Sequence, residues 1–168
     1  MATTFELIQT FNASPGGSSY ADFTSIPNTY TDLRFIISSR NTDVYNEIHW
    51  TFNGGTSHQF MYFQAYGTTK QQTYSTNSST IQGMVQAVSG SPASTFGAGS
   101  LYIPYYSNTN MNKLAMGYSS QGHTSPFLVG WNTAANYSST TISSIRATSS
   151  VGNLAEGTKI SLFGIKNA

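Results

Sequence analysis

Apolar side chains in this chain recur at every second residue, and a spacing of three and four never persists. Leu33, Phe35 and Ile37 alternate with Arg34, Ile36 and Ser38, and Ile48, Trp50 and Phe52 alternate with His49, Thr51 and Asn53. Leu101, Ile103 and Tyr105 alternate with Tyr102, Pro104 and Tyr106, and Leu114, Met116 and Tyr118 repeat the pattern. Phe5, Leu7 and Phe11 share one parity near the start, and Ile160 and Leu162 oppose Phe163 and Ile165 near the end. Successive side chains of a strand point to opposite faces, so this period marks half-buried antiparallel strands and excludes amphipathic helices. Trp50 and Trp131 both sit in otherwise apolar strands and are expected in the core.

Turn-forming clusters punctuate these runs. Ser14-Pro15-Gly16-Gly17-Ser18, Ser89-Gly90-Ser91-Pro92 and Gln121-Gly122-His123 separate strands, and Asn53-Gly54-Gly55 predicts a tight hairpin. The result is an all-β chain of about 8–10 strands, an antiparallel β-sandwich of jelly-roll-like form, in one domain over residues 1–168. Proline has no N–H for a ladder, so Pro104 places the strand around Leu101–Tyr106 at a sheet edge. The run Thr68–Thr80 is the longest polar stretch. It is either an exposed loop or a strand polar on both faces, and it is the first candidate for a binding loop.

Composition narrows the function. Charged residues make up 8% of the chain and aromatics 14%, with a net charge of +1. The aromatics argue against disorder and suit pleated sheets. The basic residues Arg34, Arg40, Lys70, Lys113, Arg146, Lys159 and Lys166 are scattered, so no stripe for phosphates forms and nucleic acid is not an expected partner. No apolar run reaches the roughly 18 residues that span a bilayer, and the first residues have neither the basic nor the apolar region of a leader, so no membrane or export segment is expected. There is no cysteine, which removes disulfides and thiol catalysis. So weakly charged a surface suits a place inside a larger assembly.

Little in the chain points to catalysis. Glu47 and His49 share strand parity but make two metal ligands at most, and a site needs more. Asp43 and Glu47 are the least implausible carboxylate pair among six acids, but nothing controls their separation. No nucleophile elbow, phosphate-binding loop or calcium loop is present. The expected catalytic residues, metal ligands and cofactors are therefore none, and the chain reads as a structural or binding module.

The aromatic runs carry the functional expectation. Phe60-Met61-Tyr62-Phe63 and Tyr102-Ile103-Pro104-Tyr105-Tyr106 place rings on both parities, so at least one ring per run faces away from a core. Tyrosine offers rigid contact area with a polar tip. Tyr62, Phe63, Tyr102, Tyr105 and Tyr106 are the candidate partner interface. The same rings would serve as stacking platforms for a sugar, with Thr68–Thr80 and His123–Phe127 as contact loops.

Four segments carry a resemblance. Met1-Ala2-Thr3-Thr4-Phe5-Glu6-Leu7-Ile8, Ser25-Ile26-Pro27-Asn28-Thr29-Tyr30-Thr31-Asp32-Leu33 and Ile160-Ser161-Leu162-Phe163-Gly164-Ile165-Lys166 resemble small virion structural proteins of tailed bacteriophages, as does Leu101-Tyr102-Ile103-Pro104-Tyr105-Tyr106. Together they cover about a fifth of the chain. The resemblance implies a β-rich virion component, assembled in the host cytoplasm and placed on the capsid exterior or the tail. It would act as a decoration (cement) protein across subunits of the major capsid protein, or as a tail module that binds a host receptor or surface glycan. It also implies a homo-oligomer, with a trimer matching local three-fold symmetry.

Overall fold

The computed structural model describes residues 5–44, 47–122, 128–136 and 138–166. Among these residues there is no helix, and twelve strands form two antiparallel sheets. In chain order they are β1 (Glu6–Asn12), β2 (Tyr20–Phe23), β3 (Asp32–Ser39), β4 (Glu47–Phe52), β5 (His58–Tyr66) and β6 (Thr69–Ser78). The rest are β7 (Ile81–Val85), β8 (Gly97–Ile103), β9 (Lys113–Gln121), β10 (Leu128–Asn136), β11 (Ile145–Ser149) and β12 (Lys159–Ile165). The large sheet runs β1-β12-β3-β8-β9-β10-β5-β6, and the small one runs β2-β11-β4-β7. The sandwich expectation holds, with more strands than the turn signals had suggested.

The core lies between the sheets, where the alternation predicts it. Leu33, Phe35 and Ile37 of β3 point inward with Ile160 and Leu162 of β12, and they meet Ile48, Trp50 and Phe52 of β4. The Phe35 ring sits 5.0 Å from Phe23 and 4.9 Å from Trp50, centroid to centroid. Rings at these separations add attraction beyond the area they remove from water. In β1 the register shifts between Leu7 and Gln9, so the parity flips. Phe11 packs on the core, while Leu7 faces outward.

Two local expectations are corrected. Asn53 and Gly54 do adopt positive φ (50° and 64°), and the Gly55 N–H donates to the Phe52 carbonyl at 2.8 Å, as a tight primed turn requires. But β4 belongs to the small sheet and β5 to the large one, so this turn hands the chain between sheets instead of closing a hairpin. The Asn53 side chain fixes the departure. Its Oδ1 accepts from the N–H groups of Ser143 and Ser144 (2.9 and 3.0 Å), and its Nδ2 donates to the Thr141 carbonyl at 2.8 Å. The tight hairpin lies one strand later, where Gly67 and Thr68 join β5 to β6. The second correction concerns Pro104. The strand before it, β8, lies inside the large sheet between β3 and β9 and ends at Ile103. Pro104 opens the following turn, where its missing N–H breaks no ladder.

The run Thr68–Thr80 proves to be a strand polar on both faces. Within it, β6 forms one edge of the large sheet and is exposed along nearly its whole length.

Candidate functional site: the outer face of the large sheet

On the face of the large sheet turned away from the core, ladder register aligns side chains into rows. One row crosses all eight strands: Leu7, Phe163, Arg34, Tyr102, Met116, Thr133, Met61 and Tyr74. The next row runs Ser161, Ile36, Ser100, Tyr118, Trp131, Phe63 and Gln72. Arg34 is the one charge in the two rows. Trp131 is 69% exposed, Tyr118 54% and Tyr74 74%, and Leu7, Ile36, Met61, Phe63 and Met116 are exposed as well. With aromatic side chains offering ~150–250 Å² each, the exposed apolar surface here amounts to roughly 1,000 Å², well beyond the 300–600 Å² of a typical monomer's largest patch.

Strands β9 and β10 show why the large side chains point outward. Their inward positions are Ala115, Gly117 and Ser119, and Gly130, Asn132 and Ala134. Strand β7, the edge of the small sheet, passes directly beneath them. A Cβ on Gly130 would lie 2.9 Å from the Gly83 carbonyl oxygen, so only hydrogen fits. The polar residues of this inner face complete the hydrogen bonding of β7: Ser119 Oγ accepts from Val85 N–H at 2.7 Å, and Asn132 Nδ2 donates to the Gln82 carbonyl at 3.1 Å. A buried edge must have its backbone groups paired, and small polar side chains do that at close range. Large residues are thereby excluded from the inside. Leu114, Met116, Tyr118 and Trp131 occupy the outside, and the expectation of a buried Trp131 is corrected.

The sequence-predicted interface residues separate in space. Phe63 and Tyr102 lie on the outer face. Tyr62, on the inner parity of β5, packs against the core. Tyr105 is half exposed in the turn after β8, with φ 47° and its N–H donating to Asp32 Oδ1 at 2.9 Å. Tyr106 is fully buried, and its hydroxyl donates to the Pro27 carbonyl, so its ring belongs to the core and not to a contact surface. Tyr102 donates to Asp32 Oδ2 at 2.7 Å, and burial together with that carboxylate pushes its hydroxyl pKa up to about 12. Beside it, Arg34 donates from Nε to Ser100 Oγ (3.0 Å) and from Nη2 to the Tyr118 hydroxyl (3.3 Å), on the rim of a shallow depression of about 390 Å³ that also touches Trp131.

Sequence reasoning missed Tyr118, Met116, Leu114 and Trp131 as surface residues. The signal was the opposite parity: a strand that alternates Leu, Met and Tyr with Ala, Gly and Ser has two readings, and the small residues mark close backbone approach.

The remaining chemical candidates do not converge. His49 Nε2 lies 3.5 Å from Glu47 Oε2, and Gln64 Nε2 donates to Glu47 Oε1 at 2.9 Å. Burial pushes the Glu47 carboxyl up, but hydrogen bonds from His49 and Gln64 outweigh it and hold Glu47 below the usual range. The buried His58 has its Nε2 3.0 Å from the Gly55 carbonyl. Asp43 is spent locally, its Oδ1 accepting from Val44 N–H at 2.6 Å. Among the described residues no three His, Asp or Glu side chains gather as metal ligands. His123 and the candidate loop His123–Phe127 lie outside the described residues. Comparison with protein-family models, with curated proteins and with solved structures found no match.

Proposed function

We propose that this chain is a structural docking module of a virion surface, with a capsid decoration protein as the leading form, and that it docks through the outer face of the large sheet. The observation that carries the docking part is the pair of apolar rows across that face. So large an exposed apolar surface marks an interaction site. Few charges interrupt it, as in the buried centres of interfaces. Many modest contacts of this kind add up when copies are arrayed symmetrically.

The strand order supports the reading in a second way. β1-β12-β3-β8 facing β2-β11-β4-β7 is the order of two interleaved Greek keys, which we read as a jelly-roll frame. On this reading β9, β10, β5 and β6 are two additions that widen one sheet, and they carry most of the exposed rings. Jelly rolls recur in viral capsid and lectin domains, an analogy of fold that supports a virion station without identifying it. The station itself rests on the resemblance of the chain's segments to virion proteins.

The test is occupancy. Leu7, Ile36 and Trp131, one from each third of the face, are replaced together by Ser, and copies per particle are counted against the major capsid protein by quantitative mass spectrometry. We expect a loss of at least about tenfold with the circular dichroism unchanged. Full occupancy by the folded variant refutes docking through this face. A wild-type count far below that of the capsid subunit moves the module to the tail.

A further inference from the structure

We infer that a second copy of this chain covers the half of the outer face built by β9, β10, β5 and β6, giving an isologous dimer centred near Trp131. The inference rests on the docking reading and names the partner for that half.

Three observations select a second copy. The first is area. The exposed rings and apolar chains around Trp131 supply most of the face's roughly 1,000 Å², close to the ~800 Å² per partner that a stable protein pair buries. The second is charge. The outward residues of this half around Trp131 are Tyr118, Phe63, Met116, Met61, Tyr74 and Leu114, joined by Thr, Ser, Gln, Val and Ala, and only Lys70 at the hairpin end of β6 carries a charge. An isologous contact sets each residue against its own symmetry region, so a charged patch repels itself while a neutral one does not. With only Lys70 at one end and Arg34 at the Tyr118 border, this half offers an oppositely charged partner little to select. Homodimer interfaces are the more apolar kind, and this half matches them.

The third is shape. Tyr118 and Trp131 stand as a ridge between two hollows. One, of about 300 Å³, is lined by Met61, Tyr74 and Leu114, and the other, of about 410 Å³, opens at the border of this half, between Ser120 and Val129 on one side and Ile36 of β3 on the other. A two-fold axis in the plane of contact places the ridge of one copy against a hollow of the other. Two twisted sheets stack this way with their strands roughly aligned. Such stacking uses the whole half-face in one contact, which fixes the number of copies at two. Leu7, Phe163 and Phe5, beyond Arg34 on the far side of the sheet, stay open for the shell.

The test is sedimentation equilibrium of the full chain over the micromolar range, with Trp131→Lys and Trp131→Phe as variants. Trp131 is largely exposed, so Trp131→Lys leaves the fold intact, which circular dichroism checks. The wild type is expected at twice the 18.1 kDa chain mass. With a central contact costing about 30-fold per copy, Trp131→Lys weakens the dimer by roughly 1,000-fold and sediments as the monomer, while Trp131→Phe stays associated. A wild-type monomer overturns the inference, as does a trimer, or a dimer that Trp131→Lys leaves intact. These results are independent of particle occupancy. A monomer that still loads onto particles sinks the dimer alone, and a dimer that never loads sinks the docking reading.

Discussion

Replacing Gly117 by Ala asks which way β9 faces, because the two orientations predict opposite signs. Gly117 has no positive φ, so the backbone accepts Ala without strain. If this position faced water, the change would stabilise a strand by about 0.5–1 kcal/mol, since glycine loses the most freedom on folding. In the structure Gly117 faces inward, and an added Cβ would lie 2.2 Å from Asn132 Oδ1 and 3.2 Å from Leu101 Cδ1. The carboxamide has to rotate away, and its Nδ2 then leaves the Gln82 carbonyl. Stranding that buried pair costs about 1–3 kcal/mol, so against the glycine gain the middle of the range leaves a net loss of roughly 1 kcal/mol. For a chain of this size the melting temperature falls by about 2–4 °C. Urea unfolding followed by far-UV circular dichroism reads the sign directly. In an Asn132→Ala background the carboxamide is gone and only the Leu101 methyl has to give by a few tenths of an ångström, so Gly117→Ala should then be close to neutral. Stabilisation by Gly117→Ala in the wild-type background would refute the inward assignment and with it the exposed aromatic rows.

Three further outcomes follow from the described contacts. Arg40 donates to four carbonyls of one loop, those of Pro92, Thr95, Ser89 and Ser91 (2.8–3.1 Å), so Arg40→Met should cost about 2 kcal/mol and speed amide exchange across residues 89–95; unchanged exchange there would count against that anchoring. Tyr106→Phe removes the donor to Pro27 and should lower stability by about 1–2 kcal/mol in denaturant titration, while an outward Tyr106 would show no loss. Acid should weaken the fold in two stages. Burial lowers the His58 pKa below the usual imidazole value of 6.5, so the unfolded chain binds the proton first and stability declines as pH falls through and below that value. Glu47 is held below the usual carboxylate value of 4.5, so its contribution is present above that pH and is lost beneath it. Urea midpoints test both: a flat profile from neutral pH to about 5 would contradict the His58 stage, and one flat from about 5 to about 3 the Glu47 stage.

The strands could be found from the alternation of residues, and the core could be found wherever both parities differ strongly in size and polarity. Leu33, Phe35 and Ile37 against Arg34 and Ser38 leave one choice of face. In β9 the choice depends on how near β7 comes, and that distance is a tertiary fact that no local window contains. Asn53-Gly54 correctly announced a primed turn, but turn geometry does not say which sheet receives the next strand. That is set by the hold of Asn53 on residues 141–144, some ninety positions away. Pro104 marks a ladder's limit along the strand, not a limit across the sheet. Of the candidate interface, Phe63 and Tyr102 were legible because aromatics on both parities leave one outside. Tyr106 was not, since its burial depends on the Pro27 carbonyl it meets.

The neighbours of β12 give synthesis of this chain a definite order. Strands β1 and β3 emerge early, yet neither pairs with the other, because β12 belongs between them. About 120 residues separate the end of β3 from the start of β12. At elongation rates of about 5–20 residues per second, the slot stays empty for roughly 6–24 s. During that interval both flanking strands offer unpaired backbone to any extended segment nearby. A nascent chain of this protein is therefore most open to mispairing at the slot that β12 is made to fill.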